Sequence, residues 1–310
     1  MVKKFKIYKN FKINKSHRKS LILVGNFDGL HIGHQKLFKE AKKYKKKFNV
    51  KIGVVTFNPI PKMFFNKKIK NYRISNFDQK IINFKKFGVN FLVNKNFNKK
   101  FSKISCHKFV KEILYKKLEA KYIFVSNNFR FGHKRQGDVK LLEFYQKFYN
   151  YNLIKPKPLK ERKKIISSTY IRKLLEKGQI IKANKFLNRK WAIEGKVERG
   201  RMLGKKIGFP TCNIDIEDYV IAKPGVYAVK VLTNNMKKAY KGIANLGYRP
   251  TFRQKKILLE VNLFNFSGNL YNKKLSVEFL KFIRGEKKFK GVDDLRSQIK
   301  KDLSIAKKVK

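Results

Sequence analysis

Negative charge is what this chain has least of. Its 310 residues carry 20 Asp and Glu against 78 Lys and Arg, a formal net charge of +58. A balance that basic points first to nucleic acid, but the lysines are spread along the whole chain and are not gathered into a tail or stripe. Asn, Ile, Phe and Tyr are abundant too. They share A- and T-rich codons with Lys, so base composition accounts for the excess, and no specific nucleic-acid partner is expected. The charge still steers small anions inward and makes the surface adhesive to polyanions. Cysteine is nearly missing: Cys106 and Cys212 are far apart and form no metal-type pair, which fits a reduced cytoplasm. No run of 18 apolar residues occurs, so no membrane span is expected. The basic start, MVKKFKIYKN, has no apolar core, so a secretory signal is not expected either. With 42% hydrophobic residues the chain can still build real cores, and its length predicts about two domains.

Two familiar phosphate-binding signatures are also missing: no Gly-x-x-x-x-Gly-Lys-Ser/Thr loop and no Gly-x-Gly-x-x-Gly after a strand. What stands in their place is Leu21–Val24, four apolar residues, then Gly25-Asn26-Phe27-Asp28-Gly29-Leu30-His31-Ile32-Gly33-His34 and a helical run through Gln35, Leu37, Phe38, Ala41 and Tyr44. A buried strand, a glycine-rich turn and a helix start form a geometry suited to phosphate, with the first helical N–H groups aimed at the anion. His31 and His34 fall nearly on one face. They are placed to donate to phosphate oxygens and to stabilise transition-state charge. A zinc pair, or two surface histidines, is the blander alternative.

This segment resembles the HxGH nucleotidyltransferases, and its Phe-Asp-Gly-x-His-x-Gly-His form is similar to the prokaryotic bifunctional riboflavin kinase/FAD synthetases. The rest of the first half suits a doubly wound α/β domain. Ile52–Phe57 is a second strand joined to the first by a helix, a βαβ unit. Ser75–Phe87 predicts a helix capped by Ser75 and stopped by Gly88. Asn90–Val93 and Tyr122–Val125 are further strands, with a helix at Cys106–Leu118 between them. Ligands then belong at the strand C-terminal ends. The loop after the last of these strands, Asn128-Phe129-Arg130-Phe131-Gly132, sets an arginine between aromatics. Phe129 or Phe131 suits a flat ring and Arg130 suits phosphate. It resembles the family's Asp-Phe-Arg-Phe-Gly, with Asn128 where an acid is common. Pro59-Ile60-Pro61 likewise replaces the family's usual Pro-His-Pro and removes a polar group on the expected flavin side. Ser167-Ser168-Thr169-Tyr170-Ile171-Arg172 reads as a helix cap with an arginine. The resemblance implies that Ser167, Ser168, Thr169 and Arg172 contact the ATP phosphates, together with Gly25, Phe27, Asp28, Gly29 and Gly33.

A short helix, Ile180–Leu187, leads to a boundary near Asn188, giving domains 1–187 and 188–310. Beyond it the pattern changes to strands: Trp191–Val197, Gly225–Leu232, Tyr240–Asn245, Ile257–Phe264 and Lys274–Phe282. Short strands with Gly and Asn turns predict an antiparallel β-barrel, closed by a helix over Val292–Lys307 whose Asp293 and Asp294 suit its N-terminus. Within it, Gly200, Gly204 and Gly208 recur every four residues before Pro210-Thr211-Cys212-Asn213, a flap whose backbone suits phosphate. Thr211 and Asn213 offer hard oxygens for Mg²⁺. The segment is similar to the riboflavin kinase element Gly-Arg-x-Leu-Gly-x-x-x-Gly-Phe-Pro-Thr-Ala-Asn. That likeness places Gly200, Arg201, Gly204, Gly208 and Pro210 on ATP, and Thr211 and Asn213 on metal and nucleotide. All five histidines lie in the first half, so a base for phosphoryl transfer in the second should be a carboxylate. Glu260, an acid within the apolar Leu258–Leu263 strand, is the candidate. Arg284, in Ile283-Arg284-Gly285-Glu286, matches a family segment near the flavin.

The resemblance implies a cytoplasmic transferase that phosphorylates riboflavin with MgATP in the second domain and adenylates FMN to FAD in the first. Its partners are small molecules, and self-association is compatible with it. Two other functions fit parts of the sequence: an HxGH-type nucleotidyltransferase for another small molecule, and a basic nucleic-acid-binding protein.

Overall fold

Two hydrophobic periodicities build two units. The computed structural model describes residues 5–199, 207–233, 239–250 and 255–309. Packing divides the chain into residues 1–70 with 77–167, and residues 71–76 with 168–310.

The first unit is a six-stranded sheet. Its strands are β1 Lys6–Tyr8, β2 Leu21–Val24, β3 Ile52–Asn58, β4 Phe91–Asn96, β5 Tyr122–Phe124 and β6 Asn152–Ile154. They lie in the order β1-β4-β3-β2-β5-β6. Every pairing is parallel, so helices cover both faces and the central strands are apolar on both. Alternate residues of β2 serve opposite layers. Leu21 and Leu23 join Phe38, Val54 and Phe84 in one cluster, while Ile22 and Val24 join Val55, Val93 and Phe109 in the other. A Cβ at Gly53 would lie 2.2 Å from the Phe91 ring, so only glycine lets that ring cross the sheet. The helix Ile32–Phe48 follows β2 and ends at Asn49 in the left-handed conformation. The strand order reverses between β2 and β5, the place where open α/β sheets bind ligands.

The expected elements of this sheet are present with shifted ends, and two of its strands were not foreseen. β1 and β6 are three-residue edge strands, too short to show a period. The segment from Cys106 starts as a helix over Cys106–Lys108 and continues with π-type turns over Phe109–Lys117. The Ser75 cap is corrected: the helix spans Phe77–Lys86, while Ser75 packs with the second unit and accepts a hydrogen bond from Arg189 Nη2 at 3.2 Å. A two-residue hairpin, β7 Lys160–Glu161 with β8 Lys164–Ile165, completes the first unit.

The second unit is a closed antiparallel barrel. Its strands are β9 Trp191–Glu198, β10 Cys212–Asp215, β11 Gly225–Thr233, β12 Tyr240–Pro250, β13 Lys255–Leu263 and β14 Lys274–Arg284. They close in the order β10-β13-β12-β11-β14-β9. Trp191, Ile193, Ile214, Tyr227, Leu259, Val277 and Phe279 are fully buried in the barrel unit. β10 was unforeseen because its four residues looked like the tail of the glycine flap, yet it pairs with both β9 and β13 and closes the barrel. The helices Ser168–Glu176 and Ile180–Leu187 pack with this unit. The buried Asn184 accepts from Trp191 N–H at 2.7 Å and donates to Phe279 O at 2.9 Å. Residues 71–76 also run along it: Trp191 Nε1 donates to Ile74 O at 3.0 Å, and Arg73 forms an ion pair with Asp218. The last helix, Val292–Lys308, sets Ala306 against Ala228 and Leu280.

Candidate active site

The first unit builds its site from one turn. Gly25 N–H donates to Val55 O at 3.0 Å and so prolongs the β2–β3 pairing. Phe27, Gly29 and Leu30 then take positive φ values of 46°, 76° and 40°. The tight reversal seats the Phe27 ring under Gly25, where a Cβ would stand 3.1 Å from Phe27 Cζ. Asp28 is buried. His31 is the N-cap of the helix, and its Nδ1 accepts from His34 N–H at 3.4 Å. With Nδ1 accepting, the ring proton of a neutral His31 sits on Nε2, which is then a donor. The His31 and His34 rings stack with centroids 3.7 Å apart, and Phe27 meets His34 edge-on at 5.2 Å. Burial above all, then the electrostatic influence of His31 and Lys80, holds His34 well below 6.5, so it is neutral at pH 7. Two buried polar atoms here have no partner, His34 Nδ1 and Asn26 Oδ1. Orphans of that kind mark a place for a polar ligand. Gly33 closes the turn: a Cβ there would lie 3.1 Å from the His31 ring and 3.3 Å from Ile166 O. The chain leading into Ser167 therefore rests on the histidine turn.

Among the described residues no three His, Cys, Asp or Glu side chains are grouped to hold a metal. The histidine pair therefore lacks the further ligands that a zinc site needs.

The loop after β5 leaves the sheet beside this turn. Phe131, which the sequence suggested as a platform for a flat ring, packs in the core beside Phe109, 5.4 Å away. Phe129 stacks on it at 5.5 Å and is partly exposed. Arg130 pairs with Asp138 at 3.3 Å, and Asp138 caps the next helix through Leu141 N–H at 3.0 Å. Asn128 is exposed, and its Oδ1 accepts from Ser126 Oγ at 2.9 Å. Sequence reasoning missed a larger aromatic group at the C-terminal ends of β3 and β4. Phe57 packs on Phe101 at 5.7 Å, and Phe97 packs on Phe64 and Phe101 at 5.2 and 5.7 Å. Phe65 beside them is 69% exposed. The signal was available in part: Phe57 ends the apolar run of β3 and Phe97 directly follows β4, at the C-terminal ends of both strands.

In the second unit, Arg172 lies on the helix Ser168–Glu176, buried and stacked 3.6 Å from the Tyr72 ring, with Nε donating to Tyr72 O at 2.7 Å. The barrel site is made by register. β10 and β13 place Asn213 opposite Glu260, and β13 and β12 place Glu260 opposite Asn245. Directly paired residues share a face. Their neighbours Ile214, Leu259 and Leu246 are buried in the barrel, so Asn213, Glu260 and Asn245 stand on its outer wall. The apparent cost of an acid in an apolar strand is thereby resolved: Glu260 is only half-buried. Asn213 is buried, and its Oδ1 has no partner. Cys212 points inward, its thiol pushed up to about 12 by burial, and is unreactive there. Asn262 Nδ2 donates to Pro210 O at 2.7 Å and fixes the entry to β10, where Pro210 and Thr211 are exposed. Gly208 takes a φ of +87° in open space. Gly200, Arg201 and Gly204 lie outside the described residues. A Cβ at Gly247 would meet Glu286 Oε1 at 2.6 Å and Asn245 Nδ2 at 3.6 Å, so Glu286 joins this wall.

Arg284, expected beside the flavin, has its guanidinium clamped by the buried Asp302, with Nε at 3.0 and 2.9 Å and Nη2 at 2.8 Å, while Nη1 donates to Gly285 O at 2.9 Å. It fastens the last helix to β14 and holds the segment carrying Glu286.

The comparisons with known proteins divide the chain in the same sense. The FAD synthetase family matches residues 13–170 and the riboflavin kinase family matches residues 187–310. A bifunctional riboflavin kinase/FMN adenylyltransferase of Buchnera aphidicola (Schizaphis graminum) is 40% identical over 96% of each chain. Its counterparts in Haemophilus influenzae and Escherichia coli K12 are 35% and 33% identical over 92% and 91% of this chain, and over 92% and 90% of their own. A crystal structure described as a macrolide-efflux protein of Streptococcus pneumoniae superposes with a TM-score of 0.86 at 30% identity, covering 98% of this chain and 99% of that one. Among the described residues no helix here is long and apolar enough to cross a membrane. On these matches, with both halves covered and both motifs in place, the chain belongs to the family of bifunctional riboflavin kinase/FMN adenylyltransferases.

Proposed function

We propose that the two activities of the family are carried by separate constellations, riboflavin phosphorylation by Thr211, Asn213 and Glu260 in a 188–310 module and FMN adenylylation by His31 and His34 in a 1–187 module. The observation that carries this is the cross-strand pairing of Glu260 with Asn213, whose buried Oδ1 lacks a partner. A carboxylate beside an orphaned amide oxygen is what a base next to a metal-nucleotide site requires. The hard oxygens of Asn213 and Thr211 suit Mg²⁺, which would neutralise ATP phosphate charge when bound. Glu260 takes the proton of the riboflavin hydroxyl as its oxygen attacks the γ-phosphorus and ADP leaves. The glycine flap at 200–208, with Arg201 and Pro210, is assigned to ATP by its motif.

In the other reaction the FMN phosphate attacks the α-phosphorus of a second ATP and pyrophosphate leaves, with no covalent enzyme intermediate. His31 Nε2–H and the neutral His34 donate to the triphosphate, and the turn holds it through Gly25, Phe27, Asp28, Gly29 and Gly33. Ser167, Ser168, Thr169 and Arg172 are assigned to ATP phosphates by their motif. The isoalloxazine ring is assigned to Phe129 and the Phe57, Phe64, Phe65, Phe97 and Phe101 group, with Asn128 and Arg130 at its rim. Cys106 and Cys212, both buried and free, suit a cytoplasmic setting. The test is chromatography of products from riboflavin and MgATP: FMN and FAD both form, and release of neither overturns the assignment.

A further inference from the structure

The carboxylates on the barrel's outer wall are short of partners. With 78 Lys and Arg against 20 Asp and Glu, an acid in this chain is more easily paired than left alone. Among the described residues, however, neither Glu260 nor Glu286 uses its carboxylate in an ion pair or hydrogen bond. The same wall carries Asn213, only 7% exposed, whose Oδ1 has no partner and which stands directly opposite Glu260. A buried amide oxygen and two carboxylates left unsatisfied together call for a ligand that brings donors. Glu260 and Asn213 already have roles in phosphoryl transfer; Glu286 has none.

Two features set where that carboxylate lies. A Cβ at Gly247 would stand 2.6 Å from Glu286 Oε1, so the glycine leaves room for the acid to lie against β12. On the other side, the bond from Arg284 Nη1 to Gly285 O, with Arg284 itself held by Asp302, fixes the chain that enters Glu286. Gly247 and Asn245 are two residues apart on β12 and share a face. Glu260 is paired with Asn245, which makes it the diagonal neighbour of Gly247, about 7–8 Å away. Leu258, paired with Gly247 and two residues before Glu260, is buried. The two acids are thus separated by apolar ground, and Glu286 is exposed to solutes.

We infer that Glu286 binds riboflavin, its carboxylate accepting hydrogen bonds from the ribityl hydroxyls nearer the ring while Glu260 takes the terminal one. The ribityl chain is a row of donors that ends in the hydroxyl to be phosphorylated. Two acids about 7–8 Å apart can hold the two ends of such a chain through hydrogen bonds of about 2.7 Å each, with its carbons over Leu258. Gripping the chain at a second point aims its terminal oxygen at the γ-phosphorus. It also discriminates against a flavin without these hydroxyls, which would leave the acid unsatisfied. The inference rests on assigning riboflavin phosphorylation to Asn213 and Glu260.

The test uses the full chain with Glu286→Ala, Gly247→Ala and, separately, Glu260→Ala. The kinase step is followed with riboflavin as substrate and with lumiflavin, a flavin ring that lacks the ribityl chain, as competitive inhibitor. Glu286→Ala is expected to raise the KM for riboflavin about tenfold to 100-fold. The inhibition constant of lumiflavin, the KM for ATP and the conversion of supplied FMN to FAD should all stay as they are. Gly247→Ala keeps the acid but pushes it off the strand, and should raise the riboflavin KM about tenfold. An unchanged riboflavin KM in Glu286→Ala overturns the inference. So does a lumiflavin inhibition constant that weakens in step, which would put the acid at the ring, or a higher KM for ATP alone. If Glu286→Ala lowers the melting temperature, Gly247→Ala carries the same expectation with the acid still present, and an unchanged riboflavin KM there overturns it. Full kinase activity in Glu260→Ala would overturn the site assignment itself, an outcome separate from the Glu286 result.

Discussion

The two sites are made in opposite ways. In the first unit the chemistry is contiguous: a strand, a turn and a helix start from Leu21 to His34 bring both imidazoles together, and the rings stacked on them, each other's and that of Phe27, lie within a few residues. In the barrel it is dispersed, with Asn213, Asn245 and Glu260 coming from three strands and meeting only because the β10–β13–β12 register pairs them. Yet both end with a buried polar atom left unpaired, His34 Nδ1 in one and Asn213 Oδ1 in the other. A local site should answer to changes in its own turn, and a register-built site to changes on any of its strands.

The largest effect is expected from Glu260→Ala, which removes the base. Riboflavin phosphorylation should fall by about 10² to 10⁴, while conversion of supplied FMN to FAD continues at its normal rate, as measured by chromatography. His34→Ala is the mirror case. Riboflavin is converted to FMN and the reaction stops there, with adenylylation down by roughly 10² to 10³.

The third change separates function from stability. Asn213→Leu deletes an acceptor whose burial without a partner costs on the order of 1–3 kcal/mol, so the melting temperature should not drop. Kinase activity should fall and more Mg²⁺ should be needed for half-maximal rate. A lower melting temperature would show that the amide is structural. Gly33→Ala is milder. Its Cβ would press on the His31 ring from 3.1 Å, and adenylylation should slow by roughly tenfold from misplacement, with the kinase step untouched.

How far the sequence reveals each site follows from the same contrast. The histidine turn could be read from spacing, because its residues are neighbours and their types are demanding. Glu260 could be found by eliminating histidine from the second half, but its outward direction could not, since a period of two does not say which face is inside until β10 closes the barrel. The surroundings of Arg284 were hidden for a related reason: its motif fixes its position, and only the packed helix shows that Asp302 pairs with its guanidinium. The burial of Phe131 was hidden in the same way, since it is an aromatic in a polar loop that folds back into the core.

The smallest effect concerns pH. His34 is held well below 6.5, chiefly by burial, whereas in the unfolded chain it takes up a proton near that value. Below about pH 6.5 unfolding therefore binds an extra proton, and stability should decline as pH falls through that window and level off above it. His34→Gln should flatten the decline in melting temperature, and an unchanged slope would assign it to other groups.

The most direct measurement of two independent sites is complementation between the single variants. His34→Ala and Glu260→Ala are each incubated with riboflavin and MgATP, alone and then mixed, and the products are separated. Independent sites predict FMN alone from the first, neither product from the second, and FAD from the mixture, as FMN released by one chain is adenylated by the other. If either folded variant loses both steps, or the mixture makes no FAD, the two activities do not reside in the two constellations described.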